Sequence, residues 1–457
     1  MSELAKQYLK ENRDAQLDEL KSFLSLQSIS SDSTHRDEMN HTAQWTADAL
    51  TAAGLEHVAI METEGLPVVY GEWLHDPEKP TVLIYGHYDV QPVDPLHLWE
   101  TPPFEPTIRD GKIYARGASD DKGQVFMHIK VLEAYLKSEK ALPVNVKVIF
   151  EGEEEIGSPS LDAFVEANKE LLKSDVLLVS DTPMLDKGKP AVVYGLRGLC
   201  GMQIDLKGPN SDLHSGLYGG AVQNTLHALV ELLATLHNEK GEITVEGFYD
   251  KVRRLTKEEI ETFASLSDDE ALKAQLGVTD LFGEEGFSTT ARLWARPTLE
   301  INGVYGGFQG EGVKTVIPNE AHAKISCRLV PDQDPAEIAS QIKAHLNKHL
   351  PKGVTLDIQM FDQARPFLTP YDHPAIQAAG VALEKAYGSP VTYTRMGGSI
   401  PVVETFNTVL KLPAVLMGFG LGTENFHAPN EHFHLENFEK GMDALVDYLH
   451  ELSHVQF

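Results

Sequence analysis

Short, nearly continuous apolar runs alternate with helically spaced apolar residues over the first 197 positions. The runs cover Val82 to Tyr85, Val144 to Phe150, Val176 to Val179 and Val192 to Tyr194. Helical spacing occupies the stretches between them, for example 125–132 and 161–171. Strands covered on both faces read as continuous apolar runs, and intervening helices are typical of parallel sheets. The pattern predicts an α/β fold with a mostly parallel twisted sheet flanked by helices.

After Gly198 the pattern changes to strict alternation. Between 321 and 329, apolar residues at every second position alternate with His322, Lys324, Ser326 and Arg328. Such alternation is typical of antiparallel strands with one covered and one polar face. It predicts an α+β domain at 198–361, which contains an acidic, helix-prone stretch from 250 to 285. The α/β pattern returns at 362–457, so the α+β domain is expected to be inserted into an α/β domain formed by 1–197 and 362–457.

Composition excludes several classes of protein. The 457 residues include 39 basic and 68 acidic ones, a net charge of −29, which opposes binding to nucleic acid or an anionic membrane. No apolar run approaches the roughly 20 residues of a spanning helix, and the first residues are polar, so neither a membrane segment nor a signal peptide is expected. Two cysteines are too few for a disulfide framework, which favours the cytoplasm.

Acidic and histidine residues follow the predicted parallel strands. His87, Glu151 to Glu155, Asp181 and His427 each come after an apolar run, and Asp120 precedes the helix expected near 124. Ligands of open parallel sheets gather beyond the carboxyl ends of the strands. Two histidines and three carboxylates would suit two zinc or manganese ions that share one bridging carboxylate.

Each of these residues also has an ordinary structural interpretation. A histidine after a strand is often a hydrogen-bonded core residue, and Asp120 could cap a helix. The glutamate run could be a solvated surface, and Asp181 could cap a turn. Their joint occurrence at successive strand ends is what favours a site.

Ordered motifs over essentially the whole chain resemble one family. They are Gly86 to Pro92, Trp99 with Pro103 and Phe104, Gly111 to Gly117, Ser119 to Gly123, Glu151 to Ser158, Tyr194 to Gly198, Asp212 to Gly220, Lys314 to Pro318, Arg328 to Pro331 and Gly397 to Pro401. The resemblance is to the co-catalytic di-zinc metallopeptidases, which include carnosinase-type dipeptidases, aminoacylase, acetylornithine deacetylase and succinyl-diaminopimelate desuccinylase. The carnosinase and cytosolic nonspecific dipeptidase branch is the most similar.

The resemblance implies a ligand set for two metal ions. His87, Asp120 and Asp181 would hold one ion, and Asp120, Glu155 and His427 the other. The residues alone leave the register of the glutamate run open, and His432 and His434 are alternatives to His427. The resemblance selects Glu155 through the following Gly157 and Ser158, and His427 through its His-x-Pro-Asn-Glu pattern.

It also implies catalytic roles and a cis peptide bond. Glu154 would be the general base for a metal-bridging hydroxide, and Asp89 would orient the imidazole of His87. The peptide bond between Asp120 and Asp121 is expected to be cis.

Substrate-binding residues follow from the resemblance as well. His214, Thr315, Arg328, Gly398 and Ser399 match positions that bind the substrate carboxylate or stabilise the oxyanion. Without the resemblance, a substrate-binding role and an ordinary surface position on a strand are equally good interpretations of Arg328. For His214, a loop residue without a role is then the better interpretation. The inserted domain would be a lid and dimerisation domain, and the protein a homodimer.

These features predict metal-dependent hydrolysis of dipeptides or short peptides, with two zinc or manganese ions per subunit. An N-acyl-amino-acid deacylase on the same metal centre is the first alternative. A peptide-binding pseudoenzyme is the second, although it would have no need for the general base.

Overall fold

Helices and strands alternate along the chain in a computed structural model that describes residues 2–398 and 400–457, without the side chains of Asp362 and Pro401. The helices are α1 (Ser2–Glu11), α2 (Arg13–Leu24), α3 (Arg36–Ala53), α4 (Lys122–Ser138), α5 (Leu161–Ala167), α6 (Lys169–Leu172), α7 (Ser215–Tyr218), α8 (Thr225–Ala234), α9 (Lys257–Ser265), α10 (Asp269–Leu276), α11 (Thr289–Ala295), α12 (Pro335–His349), α13 (Pro374–Tyr387), α14 (Pro401–Leu410) and α15 (Leu435–Leu452).

The strands follow the same chain order. They are β1 (Glu56–Met61), β2 (Val68–Trp73), β3 (Thr81–His87), β4 (Thr107–Arg109), β5 (Lys112–Tyr114), β6 (Asn145–Glu151), β7 (Val176–Val179), β8 (Pro183–Met184), β9 (Ala191–Leu196), β10 (Gly198–Lys207), β11 (Leu213–His214), β12 (Thr298–Gly306), β13 (Val316–Ile317), β14 (Glu320–Leu329), β15 (Thr355–Ala364), β16 (Phe367–Leu368), β17 (Thr392–Met396), β18 (Ala414–Leu416), β19 (Gly420–Leu421) and β20 (His432–His434).

The chain divides into two compact units. The first comprises Met1–Tyr194, Thr369–Thr394 and Pro401–Phe457, and the second comprises Gly195–Leu368 and Arg395–Ile400. The second unit therefore interrupts the first along the sequence.

A central sheet forms the core of the first unit. Its strands lie in the order β1-β2-β6-β3-β7-β18-β9. The middle strands β6, β3, β7 and β18 are parallel to one another, whereas β1, β2 and β9 pair antiparallel at the margins. The predicted α/β fold with a parallel sheet core is confirmed, and the parallel strands place their carboxyl ends at one edge of the sheet.

Apolar continuity explains why these middle strands form. Every residue of β6 and β7 is buried, and in β3 only Thr81 is partly exposed. Helix α4 packs against β3, and α3 packs against β1 and β2. The helices thus supply the cover that strands without a polar face require.

An antiparallel sheet with strand order β12-β14-β10-β15 forms the core of the second unit. On β14 the apolar residues Ala321, Ala323, Ile325, Cys327 and Leu329 are buried, as the alternation predicts. Their face packs with α8 and α12 in one hydrophobic cluster. The acidic stretch 250–285 contains α9 and α10. Among the residues described, no helix is both long enough and apolar enough to traverse a bilayer.

Candidate metal centre

Three adjacent parallel strands deliver acidic and imidazole side chains to one edge of the first unit's sheet. His87 ends β3, which lies between β6 and β7. Glu154 and Glu155 lie in a short 3₁₀ turn after β6, and Asp181 follows β7 by two residues. The common direction of these strands is what brings residues so distant in sequence together.

Asp120 lies at the centre of the group. Its Oδ1 is 3.2 Å from Nε2 of His87, and its Oδ2 is 2.9 Å from Nε2 of His427. Asp181 Oδ2 lies 4.0 Å from His87 Nε2, and Glu155 Oε2 lies 3.3 Å from His427 Nε2. One carboxylate therefore presents one oxygen to each imidazole.

These side chains form two overlapping groups whose ligand atoms could hold a metal ion. The first is His87, Asp120 and Asp181, and the second is Asp120, Glu155 and His427, each with its atoms within 4.8 Å of one another. The Nε2 atom of His87 is buried, and although Asp120 lies nearby, no described residue makes a hydrogen bond of good geometry with it. A buried polar atom without a partner is costly, and nitrogen and oxygen donors suit zinc or manganese. The residues fit a pair of divalent ions.

Burial and the close spacing of the carboxylates change the pKa values of the residues in these two groups. Burial raises the pKa of Asp181 well above its ordinary value, and Asp120 raises it further. Burial and then Asp120 also raise the pKa of Glu155, to about 8. Its hydrogen bond to Asp120 raises the pKa of His427 to about 9. These directions apply to the metal-free chain, and bound dications would favour the charged carboxylates and neutral imidazoles.

Asp89 connects the imidazole to the glutamate turn. His87 Nδ1 lies 3.2 Å from Asp89 Oδ1, and the same carboxylate accepts the backbone N–H groups of Glu154 and Glu155 at 3.3 and 3.1 Å. Asp89 is completely buried. Its contact with His87 matches the orienting position predicted for it, and its bonds to the turn were not predicted.

The four glutamates of the 151–155 run have different partners. Glu151 accepts hydrogen bonds from the hydroxyls of Tyr85 and Ser158, and Glu153 accepts backbone N–H groups of Leu66 and Ser160. These two carboxylates hold loops.

Glu154 and Glu155 remain for the candidate centre, and of these two only Glu155 belongs to a ligand group formed by the described residues. The pKa of Glu154 is raised overall, chiefly by burial and also by the charges of Asp120 and Asp89, while His87 opposes the rise. Glu154 therefore lies within electrostatic range of the same side chains without being a candidate ligand.

The competing histidines have local partners. His432 Nδ1 lies 3.0 Å from the carbonyl oxygen of Asn430, and the ring packs on Tyr114. His434 Nδ1 lies 2.6 Å from a carboxylate oxygen of Glu424. Neither histidine belongs to a candidate ligand group in the described part of the chain.

Gln91 contacts the group but was not singled out from the sequence. Its Nε2 donates to Glu155 Oε2 at 2.7 Å. The residue lies in the motif from Gly86 to Pro92, and its place in that motif is the feature of the sequence that could have identified it.

The peptide bond between Asp120 and Asp121 is cis, as predicted.

The predicted substrate-binding residues that the structure describes all lie in the second unit. His214 ends β11, which pairs with β13, and the N–H of Ser215 donates to the carbonyl of Thr315 at 3.1 Å. His214 and Thr315 are thus neighbours, and both are exposed. Arg328 lies on the polar face of β14, opposite Thr298 and Leu199.

Gly398 follows Gly397, which is hydrogen-bonded to Arg197 of the same unit. The guanidinium Nε of Arg197 donates to the carbonyl of Gly397 at 3.0 Å. Burial, followed by repulsion from Arg328, lowers the pKa of Arg197 to about 10. Ser399, the remaining predicted residue, lies outside the described residues.

Sequence and structure comparisons place these features among known proteins. A family model described as Peptidase family M20/M25/M40 matches residues 83–451. The Cys-Gly metallodipeptidase dug1 of Schizosaccharomyces pombe is 35% identical over 448 residues, which cover 94% of each chain.

Two solved structures are similar over nearly all of the chain. Human carnosine dipeptidase 1 has a TM-score of 0.77 and 32% identity, covering 99% of both chains. The M20 family metallo-carboxypeptidase Sso-CP2 of Sulfolobus solfataricus has a TM-score of 0.82 and 34% identity, covering 96% of this chain and 99% of that one.

Because the carboxylates of the two ligand groups lie so close together, we expect divalent cations to stabilise the fold. Zinc or manganese at about 100 times its Kd should add about 2.7 kcal/mol to the free energy of unfolding. Asp120→Asn should lose most of this increment, because Asp120 belongs to both groups. Thermal unfolding with and without a chelator measures the effect. Asp48→Asn, which changes an exposed carboxylate on α3, is the control and should keep the increment. An equal increment in Asp120→Asn would contradict the assignment.

Proposed function

The chain belongs to peptidase family M20/M25/M40, and from this membership and the geometry of the candidate centre we propose that it is a metal-dependent dipeptidase. Its substrates would be dipeptides or short peptides, in keeping with the similar Cys-Gly and carnosine dipeptidases. The observation that carries the proposal is the carboxylate of Asp120, which presents one oxygen to each of two imidazoles.

The proposed ligands are those of the two overlapping groups. His87, Asp120 and Asp181 would bind one divalent ion, and Asp120, Glu155 and His427 the other. Two such ions, zinc or manganese, would supply an ionised water at neutral pH and polarise the scissile carbonyl. The three carboxylates match most of the positive charge of two dications, which favours this stoichiometry.

Proton transfer is assigned to Glu154. It is half-buried, lies beside the ligand Glu155, and is held by a turn whose N–H groups bind Asp89. A carboxylate in this position can accept a proton from the attacking water and deliver it to the leaving amine. Asp89 would keep the imidazole of His87 in the orientation that leaves Nε2 for the metal.

Substrate binding is assigned to the second unit. Arg328 would bind the free carboxylate through its guanidinium, and His214 would donate to the developing oxyanion. Thr315, Gly398 and Ser399 would contribute further polar contacts. We propose that this unit, close to the predicted 198–361, is the inserted lid and dimerisation domain of a homodimer.

We further propose that the protein acts in the cytoplasm. Cys200 and Cys327 are opposite each other on β10 and β14, and both are buried free thiols. Free thiols in a fold stabilised by its hydrophobic core are typical of a reducing compartment.

Glu154→Gln should bind metal as the wild type does and lose turnover by about 10²- to 10⁴-fold, because the amide cannot accept the proton. Metal content and kcat are the measurements. Glu153→Gln is the matched control: Glu153 holds Leu66 and Ser160, so its variant should unfold at a lower temperature and retain most of the turnover. Loss of turnover in Glu153→Gln alone would show that the register is displaced by one residue.

A small substrate panel tests the dipeptidase assignment. Cys-Gly, its N-acetyl derivative and N-acetyl-cysteine should be compared after reconstitution with each metal. We expect hydrolysis of the free dipeptide and little hydrolysis of N-acetyl-cysteine. Preferential cleavage of N-acetyl-cysteine would indicate a deacylase. Equal cleavage of Cys-Gly and its N-acetyl derivative would indicate a carboxypeptidase that does not require the free amino group. No hydrolysis of any of them by the metal-loaded protein would contradict a peptidase.

A further inference from the structure

Two completely buried carboxylates lie close to the candidate metal centre without belonging to it. Glu424 and Glu431 flank the loop that carries His427, and both have no exposed surface. Ionised carboxylates are rarely so deeply buried unless hydrogen bonds satisfy them. Their partners therefore show what these residues hold in place.

Glu431 binds the backbone that carries Asp120. Its Oε2 accepts from Nη1 of Arg116 at 2.7 Å and from the N–H of Gly117 at 3.0 Å. Its Oε1 accepts from the N–H groups of Ser119 at 3.0 Å and of Asp120 itself at 3.1 Å. A carboxylate has about four acceptor sites, so this arrangement uses all of them.

Glu424 holds the same short segment from the other end of the loop. Its Oε2 accepts from Ser119 Oγ at 2.6 Å and from the N–H of Leu421 at 2.9 Å. Gln124 adds a further connection, because its Nε2 donates to the Ser119 carbonyl and its Oε1 accepts from Phe419 N–H. The segment 117–120 is thus bound to the 419–434 region through side chains and backbone.

Arg116 extends the connection to a third loop. Its Nη1 is the donor to Glu431, and its Nη2 donates to the carbonyl of Pro92 at 2.9 Å. Pro92 lies five residues after His87. The segments that carry His87, Asp120 and His427 are therefore connected through one buried ion pair.

We propose that Glu431 is a positioning residue that holds Asp120 at its distance from His427 and thereby determines how tightly the shared metal pair is bound. The inference rests on the proposed metal site. Glu431 is four residues beyond His427, and it binds the N–H of the one carboxylate that belongs to both ligand groups. Its displacement would change both groups at once.

Glu431→Gln tests the role. The amide replaces an acceptor oxygen with an NH₂ group that faces N–H donors, so the segment 117–120 must shift. Loss of a partner that orients a metal ligand typically costs about 10- to 100-fold in metal affinity. We expect Kd values for Zn²⁺ and Co²⁺, measured by competition with a chromophoric chelator, to rise by this factor. The absorption spectrum of bound Co²⁺ should change as well.

Asp447→Asn is the matched control for a general loss of stability. Asp447 is also completely buried and charged, but its partners are Lys6 and Lys385 on α1 and α13. This variant should unfold at a lower temperature and keep the wild-type Kd and Co²⁺ spectrum. An equal rise of Kd in both variants would overturn the positioning role, as would an unchanged Kd in Glu431→Gln.

Arg116→Lys provides a second test if Glu431→Gln does not fold, because Arg116 is the side-chain partner of Glu431. It keeps the positive charge but removes the guanidinium donors to Glu431 and to the Pro92 carbonyl, and loss of such hydrogen bonds should weaken metal binding by about threefold or more. An unchanged Kd here would overturn the inference. Failure of the wild-type chain to bind metal would instead overturn the proposed function, so the two failures are distinguishable.

Discussion

The mutual proximity of carboxylates at one edge of a parallel sheet is the constraint on which the rest of the first unit depends. Asp120 lies within 4 Å of two imidazoles, and burial together with Asp120 raises the pKa of both Asp181 and Glu155. Such a group is costly for the metal-free chain and favourable around a pair of dications. The parallel β3, β6 and β7 impose this proximity because their carboxyl ends share one edge.

Hydrogen bonding divides the surrounding acidic residues into two classes. Asp89, Glu153 and Glu431 accept backbone N–H groups and hold loops in place. Asp120 and Asp181 direct their oxygens towards imidazole nitrogen. The first class fixes the geometry that the second class requires, which is why a strongly acidic chain can build a precise cation site. The further inference on Glu431 follows from this division.

The parts of the fold that could be predicted from the sequence are those whose hydrophobic pattern is compatible with one kind of structure. The apolar runs of β3, β6 and β7 admit few alternatives to buried strands, and their ends located the candidate ligands. The antiparallel strands β1 and β2 were not singled out, because polar residues interrupt their apolar pattern. The choice between Glu154 and Glu155 depends on the path of a 3₁₀ turn, which two adjacent glutamates cannot reveal. Nor could spacing reveal that Arg116 pairs with Glu431, 315 residues away.

Anomalous X-ray scattering from crystals of the zinc-loaded protein tests the central claim most directly. The account predicts two peaks beside Asp120, one within about 2.0–2.3 Å of ligand atoms of His87 and Asp181 and one at similar distances from Glu155 and His427. Both peaks should disappear after chelation. A single peak, or zinc bound away from Asp120, would contradict a shared metal pair as the basis of the proposed hydrolysis.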